Sequence, residues 1–171
     1  MLDGIDFEPV FFAPFVSSVM TVESSWVDHN GQLHGAYYSL LFDRAVEEAV
    51  FLVGLGPHRI ESRRPASFFT TEAHQRFLRE LRAGQEVRVT LRLINYDEKR
   101  VHLFQELHHA REGWTAATCE QIAQHVEPGA RRVVPFEDEV LERLALMKAA
   151  HGALPIPDGL GRPINMPIRL I

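Results

Sequence analysis

Apolar and polar positions recur with two different periods along this chain, and the two periods divide it into helix and strand. From Ala36 to Val53, Ser39, Asp43 and Glu47 repeat every four residues, with Arg44 and Glu48 beside them. Tyr37, Tyr38, Leu40, Leu41, Phe42, Ala45, Val46, Ala49, Val50, Leu52 and Val53 fill the remaining arc. So narrow a polar stripe predicts a helix covered on most of its sides. Gly54 and Gly56-Pro57 end it. At 1.5 Å per residue it forms a rod of roughly 27 Å. Elsewhere the period is two. In Glu86 to Tyr96, Val87, Val89, Leu91 and Leu93 alternate with Glu86, Arg88, Thr90 and Arg92, which is the mark of a half-buried strand.

The other strands are read from β-branched and aromatic runs between turn residues. They are Phe15 to Glu23, Ala66 to Leu78, Val101 to Ala110 and Trp114 to Val126. Arg82-Ala83-Gly84-Gln85, Asp97-Glu98-Lys99-Arg100 and Glu112-Gly113 supply the turns, and His58 to Pro65 is a polar connection. The predicted order is strand, buried helix, then four strands in an antiparallel meander, which is an α+β layer architecture. Pro135 opens a second amphipathic helix, about Phe136 to Ala150, with Phe136, Val140, Leu144 and Met147 on one face. The organisation is an N-terminal segment (1–14), one main domain (15–134), a C-terminal helix (135–151) and a Pro/Gly-rich tail (152–171). That tail should be extended, either packed on a neighbour or mobile.

Composition narrows the class. A chain of 171 residues suits one domain. A net charge of −5 argues against a nucleic-acid surface. The single cysteine, Cys119, rules out a disulfide within the chain and suits a reducing compartment, and no apolar run approaches the roughly 18 residues that cross a bilayer, so a cytoplasmic protein with no membrane association is expected. His102, His108, His109 and His125 lack close Cys or acid partners at metal spacing, so no metal is expected.

One stretch stands apart from these periods. Asp28-His29-Asn30-Gly31-Gln32-Leu33-His34-Gly35 is a polar loop that runs straight into the long helix. An acid, an amide and a histidine lie within seven residues at the mouth of the buried helix. Asp28, Asn30 and His34 are therefore the candidate catalytic residues. Asp28-His29-Asn30-Gly31, followed by Ala36-Tyr37-Tyr38 and Phe42-Asp43-Arg44-Ala45, resembles the hot-dog-fold thioesterases of the 4-hydroxybenzoyl-CoA thioesterase-like group. Tyr96 to His102 and Ala116 to Glu120 are also similar to that group, in particular to its betainyl-CoA thioesterases, which are sometimes fused to carnitine dehydrogenase. The resemblance covers roughly residues 15–150. It implies a five-stranded antiparallel sheet wrapped around one long helix, and an acyl-CoA substrate with no separate cofactor. It further implies edge-to-edge subunit pairing, as a homodimer or a dimer of dimers. Asp28 matches the family's catalytic aspartate. Relatives carry His where this chain has Gln32 and Asn where it has His34, so the resemblance assigns no role to His34.

The implied reaction fits these residues. A thiolate leaves without strong acid assistance, because thiols ionise near pH ~8.5. One carboxylate can therefore act as base or nucleophile. The first amides of a helix lack partners and sit at the positive end of its dipole, so backbone N–H groups near His34, Gly35, Ala36 and Tyr37 are the expected oxyanion site. Tyr37, Tyr38, Phe68 and Phe69 are candidates for an aromatic acyl pocket, suited to an aryl group or a quaternary ammonium. Glu120 could face the site across a dimer. Lys99, Arg100, Arg131 and Arg132 are candidate anchors for the CoA phosphates. Plainer readings stand beside each. Asp28 serves equally as a turn acid, Asn30-Gly31 as a turn and His34 as a loop closer. Tyr37 and Tyr38 also suit core or interface, and Glu120 and the basic residues a solvated surface. The competing activities are hydration or dehydration of an acyl thioester, and acyl-CoA binding without turnover.

Overall fold

The computed structural model describes residues 11–55, 67–127 and 132–166. Its centre is helix α1 (Gly35–Leu52), enclosed by one antiparallel sheet. The strands are β1 (Phe15–Val16), β2 (Met20–Thr21), β3 (Ser67–Phe77), β4 (Glu86–Tyr96), β5 (Arg100–His109), β6 (Thr115–Glu127) and β7 (Arg132–Val133). A second helix, α2 (Asp138–Gly152), follows the sheet. The sheet order is β1-β4-β5-β6-β3, with β2 also on β4 and β7 on β6.

The periodic patterns are realised closely. Val87, Val89, Leu91 and Leu93 of β4 all point into the core, and their exposure is 2% or less. On α1, Tyr38, Leu41, Phe42 and Ala45 join the cluster at its N-terminal end with Trp26, Leu33, Leu81, Ala117 and Cys119. Val46, Ala49 and Val53 join the cluster at its C-terminal end with Leu91, Leu103, Phe136, Val140, Leu144 and Met147. The helix thus spans both halves of one core, which is why its apolar arc is so wide.

Three expectations change. The single strand expected from Phe15 to Glu23 is two short pieces. Between them Ser17 takes over the ladder: its N–H donates to the Val89 carbonyl (2.9 Å), and its hydroxyl oxygen accepts the Val89 N–H (3.0 Å). Ser18 then hooks the interruption to α1 through the Glu48 carboxylate, at 2.8 and 2.5 Å. Secondly, β3 and β4 are not meander neighbours, for β3 pairs with β6 at the far edge. The segment 78–85 is a crossing rather than a hairpin, because Leu81 is fully buried in the core and pins its middle. Thirdly, α2 starts at Asp138, since Phe136 is still extended and donates its N–H to the Glu98 carbonyl (2.8 Å).

After α2 the chain to residue 166 lies on its own sheet, on the face turned away from α1. Arg92 bonds the Pro155 carbonyl, and the Gly161 N–H donates to Glu120 Oε2 (2.7 Å). His151 closes the far end of the core. Its Nδ1 accepts the Leu93 N–H (2.8 Å), and its Nε2–H donates to the Phe12 carbonyl (2.9 Å).

Candidate active site

The loop before α1 is a small hairpin with a carboxylate at its centre. Val27 and Leu33 form an antiparallel bridge, and the Asp28 N–H donates to the Gln32 carbonyl (2.8 Å). The Gly31 N–H returns to the Asp28 carbonyl (2.9 Å), with Gly31 at φ +76°, a left-handed conformation that glycine adopts without a Cβ penalty. Asp28 Oδ1 accepts two further amides, from Asn30 (2.8 Å) and Gln32 (3.1 Å). The Gln32 amide is the main reason its pKa lies below the usual carboxylate range; Asn30 and the nearby His29 and His34 add to the effect. The carboxylate is therefore ionised at neutral pH. Oδ2 has no partner among the described residues, so one oxygen holds the loop and the other is open to a reactant.

The loop is seated against the 78–85 crossing. The Leu33 N–H donates to the Leu81 carbonyl (2.8 Å), Gln32 bridges Arg82, and the His34 N–H donates to the Trp26 carbonyl (2.9 Å). His34 is the N-cap of α1, in extended backbone, and its side chain caps nothing. The Tyr37 N–H is taken by the His34 carbonyl (3.0 Å). This narrows the expected oxyanion site. Of the four amides from His34 to Tyr37, those of Gly35 and Ala36 alone have no acceptor among the described residues. They open at the positive end of the helix dipole, beside the Asp28 hairpin.

Two aromatic pairs flank this end. Trp26 stacks on Tyr37 (centroids 5.2 Å apart, planes 11° apart), with the Arg44 guanidinium over the indole. On the other side Tyr38 meets Phe77 edge to face at 5.0 Å. Phe77 Cζ lies 3.9 Å from where a Cβ on Gly35 would stand. Along α1, the Ser39 hydroxyl accepts a hydrogen bond from Gln75 Nε2 (2.8 Å). One turn on, burial and then the neighbouring Glu47 raise the Asp43 pKa.

The predicted residues therefore divide. Asp28, Asn30, His34, Gly35, Ala36, Tyr37 and Tyr38 come together at one end of α1, with the Asn30 and His34 side chains exposed and without hydrogen bonds among the described residues. The aromatic pocket of Tyr37, Tyr38, Phe68 and Phe69 does not form within one chain. Phe68 packs on Phe136 (5.9 Å) and His125 (6.3 Å) at the opposite end of the core, because it pairs across from His125 whereas Phe77 pairs across from Ala117. Phe69 is exposed. Glu120 points to the face away from α1, where His102 (2.8 Å) and the Gly161 amide hold its two oxygens. Lys99 and Arg100 also lie at the far end, paired with Glu98 (3.1 Å) and Asp97 (2.6 Å) of their own turn. Arg132 pairs with Glu127 (3.0 Å), and Arg131 falls outside the described residues. Sequence reasoning missed Phe77. The signal available was an aromatic closing a strand just before the crossing.

Comparison with known proteins gives the family. The family model described as "Thioesterase-like superfamily" matches residues 22–144. The betainyl-CoA thioesterase of Pseudomonas aeruginosa is 39% identical over 142 residues, spanning 83% of this chain and 89% of that protein. The L-carnitine dehydrogenase/betainyl-CoA thioesterase of Rhizobium meliloti is 36% identical over 84% of this chain, which spans 29% of that longer protein. A Staphylococcus aureus protein solved in complex with CoA superposes with a TM-score of 0.80 at 30% identity, covering 90% of this chain and 96% of that one. With the family model covering both the Asp28 hairpin and the whole of α1, the chain belongs to the thioesterase-like superfamily and is a thioester hydrolase of the hot-dog fold.

Proposed function

We propose that the chain hydrolyses an acyl-CoA thioester with Asp28 as its catalytic carboxylate, and that betainyl-CoA is the substrate to test first. The observation that carries this is the open Oδ2 of an ionised Asp28 in the hairpin that leads into two helix amides without an acceptor among the described residues. Asp28 directs a water, or its own oxygen, onto the thioester carbonyl carbon. The electrons of the carbonyl double bond move onto oxygen, where the Gly35 and Ala36 amides receive the charge. The C–S bond then breaks, CoA leaves as a thiolate that takes up the proton the attacking water gave to Asp28, and the free acid remains. If the aspartate attacks directly, the one water consumed cleaves the resulting anhydride and restores the carboxylate. The substrate follows the printed activities of the Pseudomonas aeruginosa and Rhizobium meliloti relatives.

The working unit in this reading is a dimer paired along β3. That strand is an eleven-residue sheet edge with both Phe69 and Phe77 exposed. An edge this long, with no strand on its outer side among the described residues, is an open template for a second strand. Pairing two antiparallel edges would also bring the far end of one subunit, with its Lys99, Arg100 and Arg132, towards the site end of the other. The test is release of free thiol from betainyl-, short-chain, long-chain and aryl-CoA, with sedimentation to give the assembly. Thiol release from at least one ester supports the reading. No release from any ester would overturn it, and a watch on crotonyl-CoA absorbance would expose a hydratase instead.

A further inference from the structure

The helix end that serves an oxyanion is a poor neighbour for a cation. Partial positive charge at Gly35 and Ala36 stabilises a developing negative oxygen and repels a positive group nearby. An acyl group whose quaternary nitrogen is one methylene from the carbonyl carbon places both charges at that end together. Such a substrate needs a compensating wall beside the amides, one that attracts a cation without donating hydrogen bonds, because a trimethylammonium accepts none. Aromatic faces and a carboxylate supply this.

Residues of the 77–81 stretch meet that requirement. Phe77 lies against Gly35, the residue is 57% exposed, and the Tyr38 edge-to-face contact fixes its ring. Three residues on, Glu80 is exposed and forms no ion pair among the described residues. Its charge reaches Tyr38, whose phenol is raised by burial first and by Glu80 in addition. The adjacent Arg79 is turned away, onto the Trp114 ring at 4.1 Å. Leu81 then enters the core and fastens the stretch to Leu33 (2.8 Å), which holds Phe77 against the start of α1 and keeps Glu80 one residue from that anchor. We propose that Phe77 and Glu80 form the acyl-recognition wall of this site and select an acyl group carrying a quaternary ammonium. This rests on the thioesterase reading above and goes beyond it by assigning the specificity to two residues.

The test compares kcat/KM for betainyl-CoA with that for 3,3-dimethylbutanoyl-CoA, in which a carbon replaces the quaternary nitrogen. Shape is kept and charge is lost. The wild type prefers the cation. Phe77→Leu cuts that preference by roughly threefold to thirtyfold, and Glu80→Gln by roughly twofold to fivefold. Each variant loses more on betainyl-CoA than on the uncharged ester, and Phe77→Tyr keeps the preference. Equal losses on both esters would make Phe77 a mere steric wall and overturn the proposal. So would a wild type that favours the uncharged ester or ignores the difference, even while it hydrolyses other CoA esters well. Failure to release thiol from any CoA ester would instead bring down the functional reading on which this one stands.

Discussion

His151 offers the most quantitative test of the fold. It is buried at 4% exposure, and both ring nitrogens are committed: Nδ1 to the Leu93 amide and Nε2–H to the Phe12 carbonyl. That pattern requires the neutral ring. His151→Ala removes two hydrogen bonds, strands a backbone donor and an acceptor, and leaves a void. At about 1–3 kcal/mol for each stranded group, with a cavity term added, the loss is roughly 4 kcal/mol. That is a large part of a stability of about 5–15 kcal/mol. His151→Asn keeps an acceptor near Nδ1 and should cost roughly half as much. The pH dependence has a definite sign. Burial, ahead of the opposing pull of the Phe12 carbonyl, lowers the folded pKa, while the unfolded imidazole titrates near 6.5. Below about 6.5 the unfolded chain takes up a proton that the folded chain resists. This contribution to stability is therefore complete above the unfolded pKa and is lost as pH falls through the folded one. Urea unfolding at about pH 7.5, 6.5 and 5.5 should show a steeper fall for the wild type than for His151→Asn. Parallel curves, or an alanine variant within about 1 kcal/mol of wild type, would refute the assignment.

Two further predictions concern the site end of the core. Leu81 is wholly buried and its carbonyl holds the Leu33 amide, so Leu81→Ala should cost roughly 2–5 kcal/mol in urea unfolding and lower kcat as the hairpin loosens; a neutral result on both would remove its pinning role. Burial, with Asp43 adding to it, pushes the Cys119 thiol up to about 12, so iodoacetamide should label it only when the chain unfolds, and labelling within minutes of the folded protein would contradict its enclosure.

The elements that were legible in the sequence are those whose period is set by burial on one side. The stripe of Ser39, Asp43 and Glu47 marked α1 to within a residue, and the alternation of Val87 to Leu93 marked β4 at both ends. Strand partnership was not legible. Nothing in the period of β3 says that it skips β4 for β6, and the segment between β3 and β4, which reads as a turn, sends Leu81 into the core. The same blind spot affected the site. The Asp28 hairpin is local, so its Asp, Asn and Gly could be read directly. The aromatic wall is not local: Tyr38 finds Phe77 through the position of β3, so adjacency to Tyr37 and content of aromatics pointed to Phe68 and Phe69 instead. Likewise Glu120 is an acid in mid-strand because the returning C-terminal segment offers it the Gly161 amide, a partner forty-one residues away.

The central claim is that one carboxylate has two separable duties, holding the hairpin with Oδ1 and serving the reaction with Oδ2. Turnover by Asp28→Asn tests this most directly. The asparagine oxygen can still accept the Asn30 and Gln32 amides, so the loop stays folded while the charge is gone. The prediction is a variant with wild-type unfolding behaviour and a kcat for its best thioester reduced by at least about 100-fold. Thiol release at the wild-type rate would show that Asp28 is only the turn acid of its loop.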